Sequence, residues 1–225
     1  MTLAAYQTLV NDLVRDRDGV ISTMQRDQAI ADAVARYSAD RPRLLVVDVD
    51  SAGGRRTDTP EGWFDGFSTL RDAEFPIGDV PATMLLMGNV RMYRGPSSVQ
   101  IELPFSLTAG ESIRYTFTAQ HLLDESDDTV PDAHRPPVAA LAAAFLCDQL
   151  ANYYTTESAP TITADTVDHA DKSRKFASRA KELRLQYANT LGVNTTRLAP
   201  AAAIVDLDRN ASDGGGRIFH PRRGA

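Results

Sequence analysis

The sequence predicts an α+β fold: an antiparallel helical bundle with an inserted antiparallel β unit and an extended C-terminal arm. Three observations predict it. Apolar residues recur at helical spacing within 1–40 and again within 136–192. Between them, short runs alternate apolar and polar residues with the period of a half-buried strand. After Gly192 the periodicity stops and a Pro-, Ala- and Gly-rich stretch follows. The expected division is 1–40 with 136–192 as the bundle, 41–135 as the β insertion with its connector loop, and 193–225 as the arm.

Thr2 can cap a first helix from Leu3 to about Val14, with Leu3, Tyr6, Leu9, Val10 and Leu13 as its apolar stripe. Asp16-Arg17-Asp18-Gly19 reads as a turn in which Gly19 takes positive φ. Ser22 caps a second helix, about Thr23 to Ala39, that buries Ile30, Val34 and Tyr37. Neither amphipathic helix is stable alone, so each must pack on something.

Pro42 ends this part, and Arg43 to Asp50 reads as a strand. Ser51 to Pro60 reads as a polar loop, followed by the aromatic anchors Trp63, Phe64 and Phe67. Val90 to Arg94, Ser98 to Phe105 and Ile113 to Ala119 read as strands, the last two joined as a hairpin through Ala109-Gly110-Glu111. An acidic connector, Leu122 to Arg135, carries Asp124, Glu125, Asp127 and Asp128 within five residues.

Pro137 fits the first turn of a third helix, where its missing N–H costs nothing. Val138, Leu141, Phe145 and Tyr153 lie near one face, and the alanines between them allow close approach on more than one side. Thr155 to Ala164 breaks the helix. A fourth begins near Asp165, with Phe176, Ala180, Leu183 and Tyr187 on one face and Lys172, Arg174, Lys175, Arg179, Lys181 and Arg184 on the other. Gly192 is a C-terminal stop. In the arm, Ala203 to Leu207 is apolar enough to add as a strand to a neighbour.

Composition narrows the function. The formal charge of -6 argues against a general nucleic-acid binder, which carries a strong basic surface. One cysteine, Cys147, excludes an intrachain disulfide and fits a reducing compartment. It sits in an apolar helical run and reads as a small buried hydrophobe. No run approaches the roughly 18 apolar residues of a membrane span, and no signal peptide is visible at the N-terminus, so a cytoplasm-like setting is expected.

Candidate chemistry is sparse. Asp165 and His169 are four apart on one helix face, near Asp168 and Asp171, and could hold a metal; acidic residues in a first helical turn are also favoured by the helix dipole alone. Asp48 and Asp50 at a strand end form a second candidate metal pair, with a solvated strand terminus as the plainer reading. No phosphate-loop, nucleophile-elbow or zinc-protease motif is present, and the four histidines show no partner pattern. No catalytic residue, metal site or cofactor is assigned. The basic face of the fourth helix, chiefly Lys172, Lys175, Arg179 and Arg184, is the main electrostatic feature, either solvated or set against an acidic surface, a neighbouring subunit or DNA passing through a channel.

Three stretches carry a resemblance: Met1 to Asp16 followed by Gln28 to Arg43, the helix Val138 to Tyr154, and Ala164 to Ser173 leading through Phe176-Ala-Ser-Arg-Ala to Leu191-Gly-Val. Together they resemble the head–tail connector adaptors, or head-completion proteins, of tailed bacteriophages. The resemblance covers most of 1–192, and the β unit is larger than in the minimal helical adaptor.

It implies a virion protein of the phage neck, assembled in the host cytoplasm. Such a protein forms a ring, commonly of twelve copies, beneath the portal protein. The ring extends the channel through which packaged DNA passes without sequence-specific binding, and it docks the next neck or tail protein, a stopper or tail terminator. A C-terminal segment is implied to reach the portal. By position that role falls on the arm, with Ile204, Val205, Leu207, Ile218, Phe219, Arg222 and Arg223 as its contact residues. Two rival readings stand beside it: a tail-completion or neck protein further from the portal, and a metal-dependent enzyme using Asp48/Asp50 or Asp165/His169.

Overall fold

Among the described residues the chain folds as mixed helix and sheet, with four α-helices and two three-stranded antiparallel sheets. The computed structural model describes residues 2–96, 98–156 and 166–193, with side chains of the last span from 171 onward. Of the expected break, Thr155 to Ala164, Thr155 and Thr156 still belong to the third helix, and the rest, like the arm beyond Val193, lies outside the described residues.

Helix α1 (Leu3–Val14) has Thr2 at its N-cap, as expected, but the side chain makes no capping bond, and Thr2 accepts through its carbonyl from Ala5 and Tyr6. Helix α2 (Thr23–Asp40) has a complete capping box. The Ser22 hydroxyl accepts from the Gln25 N–H, and the Gln25 side chain accepts from the Ser22 N–H. Gly19, at φ 66°, provides the left-handed turn between the two helices.

Helix α3 (Arg135–Thr156) contacts α1, α2 and α4 (Thr166–Leu191). Its burial is wider than a stripe. Val138 to Ala144, Leu146 and Cys147 are all buried, while Tyr153, expected near the face of Val138, Leu141 and Phe145, is 38% exposed. Five alanines in this run leave so little bulk that neighbouring backbones close in from several sides. Facing pairs fix the direction of α4. Arg184 lies over Phe145, Tyr154 stacks on Phe176, and Thr155 bonds Ser173, so partners fall in number along α4 as they rise along α3. The two helices therefore run antiparallel. Gly192, at φ 63°, ends α4, and the Val193 N–H returns to the Ala188 carbonyl at 2.9 Å.

The first sheet has the order β1 (Arg43–Asp50), β6 (Ser112–Ala119), β3 (Leu70–Glu74). The second has the order β2 (Gly54–Asp58), β5 (Val99–Leu107), β4 (Arg91–Arg94). This corrects two expectations. Ser51 to Pro60 is not wholly loop: β2 forms there because it pairs with β5 and buries Thr57, whose hydroxyl meets the Tyr115 phenol at 2.6 Å. And β5 and β6 are not a hairpin, since they belong to different sheets. An unbroken register explains this. Leu45, Val47 and Val49 face Phe117, Tyr115 and Ile113, so β1 and β6 match over eight residues. That leaves β5 to pair with β2 and β4, while Ile101, Leu103 and Leu107 join Ile113, Tyr115 and Phe117 in one core.

The helical and β parts have separate cores. Buried polar groups join them. His121, just past β6, donates its main-chain N–H to the Ser38 hydroxyl on α2 at 2.9 Å. Its ring nitrogens face the carbonyls of Thr129 (2.9 Å) and Arg41 (3.0 Å). Nearby, the Tyr37 phenol meets His134 Nδ1 at 2.6 Å.

Candidate functional site

A groove of about 700 Å³ lies on the helical part between the α1–α2 turn and α4. Its walls are cationic. Arg15 and Arg17 come from the turn, and Lys172, Arg174, Lys175 and Arg179 come from α4. Asp18, Asp171 and Glu182 are interspersed, and Val14, Tyr154 and Phe176 supply the apolar surface.

The local sequence explains how the turn carries its charges outward. Arg15 follows α1 in the left-handed region, at φ 53°, and its N–H bonds the Asn11 carbonyl at 2.9 Å. The Asp16 carboxylate then accepts from the Ile21 N–H at 2.8 Å, closing the turn on itself. Arg15 and Arg17 are left on the surface.

On the α4 side each cation has a distinct setting. Arg179 donates Nε to the Leu13 carbonyl at 2.8 Å. Lys172 lies 3.3 Å from Asp18 and 5.2 Å above the Tyr154 ring. Lys175 pairs with Asp171 at 2.9 Å, and that bond, with the lysine charge, holds the Asp171 carboxyl below its ordinary range. Arg174 is exposed. At the groove's end, Tyr154 donates its hydroxyl to Asp18 at 2.5 Å and stacks on Phe176 with centroids 5.7 Å apart. Burial, with the Asp18 carboxylate adding to it, pushes the Tyr154 phenol well up from its ordinary value.

Of the basic residues picked from the sequence, Lys172, Lys175 and Arg179 come together here. Arg184 does not; it forms a bidentate pair with Asp148 of α3. Arg15, Arg17 and Asp18 were missed. They are more than 150 positions from the α4 residues that share the groove, among which Lys172 meets Asp18, and the turn's own alternation of Arg and Asp was the one available signal.

Of the carboxylates considered for a metal, Asp48 is bound by Arg114 through both oxygens, at 2.7 and 2.9 Å. That bond is the main reason its carboxyl lies below the ordinary range. Asp50 accepts from the Ser112 hydroxyl at 2.5 Å. Asp165 and the side chains of Asp168 and His169 lie outside the described residues, as do Ile204, Val205, Leu207, Ile218, Phe219, Arg222 and Arg223. Among the described residues no group of three or more His, Cys, Asp or Glu side chains converges, and no helix is long and apolar enough to cross a membrane.

Comparison of the chain with protein-family models and with curated proteins gives no match. The functional reading therefore rests on the residues and their geometry.

Proposed function

We propose that this chain is a structural adaptor of a tailed phage virion, a ring beneath the portal protein that extends the DNA channel and joins head to tail. In this reading the four helices act as an antiparallel bundle that carries the β unit as an insertion. The segment from about Asn194 onward is an extended arm that reaches the portal or a neighbouring copy through Ile204, Val205, Leu207, Ile218, Phe219, Arg222 and Arg223. The ring has twelve copies, and its far face receives a stopper or tail terminator.

The observation that carries the reading is the groove. It is a cation-walled concavity on helices whose apolar faces are already packed on one another, and an adaptor needs such a surface for a charged partner. Its charges sit on two packed elements, fastened by the Arg179–Leu13 bond, so they are held before any partner arrives. Of the two carboxylate pairs behind the enzyme reading, Asp48 is engaged with Arg114 and Asp50 with Ser112, while Asp165 and the His169 side chain lie outside the described residues.

The test is complementation of a particle lacking the gene. The full chain restores joining of filled heads to tails, and a chain ending at Val193 leaves filled heads and free tails side by side. Normal joining by the shortened chain removes the arm's role; normal joining with no chain at all removes the adaptor reading.

A further inference from the structure

The groove lies at the C-terminal end of α1. At the other end of α1 lies a surface of opposite charge. The acidic connector folds back there as a tight turn: the Asp124 N–H bonds the Asp127 carbonyl at 2.9 Å, and the Thr129 N–H bonds the Leu122 carbonyl at 3.0 Å. The Asp124 carboxylate accepts from the N–H groups of Ser126 (2.7 Å) and Asp127 (2.6 Å). Those bonds, Asp127's first, hold the Asp124 carboxyl below its ordinary range. The turn is tied to α1 through the Leu3 N–H, which donates to the Asp124 carbonyl at 3.3 Å. Asp124, Glu125 and Asp127 are exposed, and beside them Leu122 is 48% exposed.

The 12-residue helix between the two surfaces is about 18 Å long at 1.5 Å per residue. One end of this rod presents carboxylates beside an exposed leucine, and the other presents cations beside an apolar floor. Within a single copy neither surface can reach the other. A second copy placed head to tail satisfies both, and contacts of this heterologous kind generate closed rings when the rotation closes.

We propose that the acidic turn of one copy, Leu122–Asp128, docks in the basic groove of the next, with Leu122 on the groove's apolar floor, and that this contact builds the ring. The inference rests on the adaptor reading for its biological meaning and on the two surfaces for its geometry. A second copy suits the groove better than DNA. Asp18, Asp171 and Glu182 interrupt the cations, so a continuous run of phosphates would meet repulsion, whereas a short turn with three carboxylates and a leucine fits a patch of mixed charge and apolar surface.

The test is intermolecular crosslinking of the full chain carrying Asp127→Cys and Arg174→Cys, with a short flexible bis-maleimide. The native Cys147 is buried and stays silent. The double-cysteine chain gives a ladder of dimers, trimers and higher species, and each single-cysteine chain stops at the dimer. Adding Arg17→Glu lowers the ladder at least about tenfold, since it sets like charges together, and adding Glu125→Arg to that chain restores it. Unchanged melting temperatures show that every variant is folded.

No ladder from the double-cysteine chain, or a ladder indifferent to Arg17→Glu, overturns the proposal. Loss of binding to a short DNA duplex on Arg174→Glu, with no ladder, overturns it in favour of nucleic acid. A ladder in a protein whose absence leaves head–tail joining intact keeps the contact and removes the adaptor reading. Tailless heads without a ladder do the reverse.

Discussion

Arg179 donates its Nε to the carbonyl oxygen of Leu13 at 2.8 Å, fastening α4 to the last turn of α1. The final carbonyls of a helix lack partners within the helix, and a cation beside them is also favoured by the helix dipole. Arg179 therefore positions the groove's two walls, while Arg174 only presents charge.

This distinction predicts different costs for two changes of the same kind. Arg179→Ala lowers stability by about 1.5 kcal/mol, or roughly 3–6 °C in melting temperature, because a charge-assisted bond to a part-buried carbonyl is lost. Arg174→Ala stays within about 0.5 kcal/mol of the parent. Thermal denaturation of the two variants decides it, and equal shifts contradict the assignment.

The Ser38 hydroxyl is a joint between the helical and β parts, accepting from the His121 N–H while donating to the Val34 carbonyl at 2.8 Å. Ser38→Ala strips the buried His121 N–H of its acceptor and costs about 1–3 kcal/mol. The urea midpoint falls accordingly, and Thr190→Ala on the exposed face of α4 leaves it unchanged. No shift on Ser38→Ala would mean that the joint contributes nothing.

Burial raises the Cys147 thiol from its ordinary 9.0 to about 11. The native chain therefore fails to react with a disulfide reagent at mildly alkaline pH, and one thiol appears on unfolding. Burial likewise raises the Tyr115 phenol from 10.0 to about 12. In both groups the unfolded state loses its proton first. The stability they contribute is complete below pH 9 and declines as pH rises from about 9 toward 12. Urea titrations across that window show a falling midpoint; a flat or rising one contradicts the burial.

Asp48 offers both oxygens to Arg114, and Glu74 approaches the same guanidinium at 3.3 Å. Asp48 is therefore not open to magnesium or manganese, and any effect of these ions on the melting temperature is the same in the parent and in Asp48→Asn. Asp48→Asn costs less than about 1 kcal/mol, since the pair faces solvent. A cation-dependent rise that Asp48→Asn abolishes would revive the metal reading.

Much of the secondary structure was legible because the responsible residues repeat. Val10 and Tyr6 on α1, Ile30, Val34 and Tyr37 on α2, and Ile113, Tyr115 and Phe117 on β6 are buried where their spacing placed them. Strands β2 and β3 were not legible. Each is five residues long, and their buried positions are Thr57 in one and Ala73 and Glu74 in the other, too few for a period to show. Strand pairing was misread because closeness in sequence favours a β5–β6 hairpin, whereas side-chain matching across space favours β1–β6. Half of the groove was legible as the basic face of α4. Its other wall, Arg15 and Arg17, follows from a contact between distant parts of the chain, which residue spacing along one helix does not report.

The adaptor reading meets its most direct test in a reconstruction of the neck of the particle that encodes this chain. The account predicts a ring of this fold immediately beneath the portal. A neck resolved from portal to tail tube with this chain absent would contradict it.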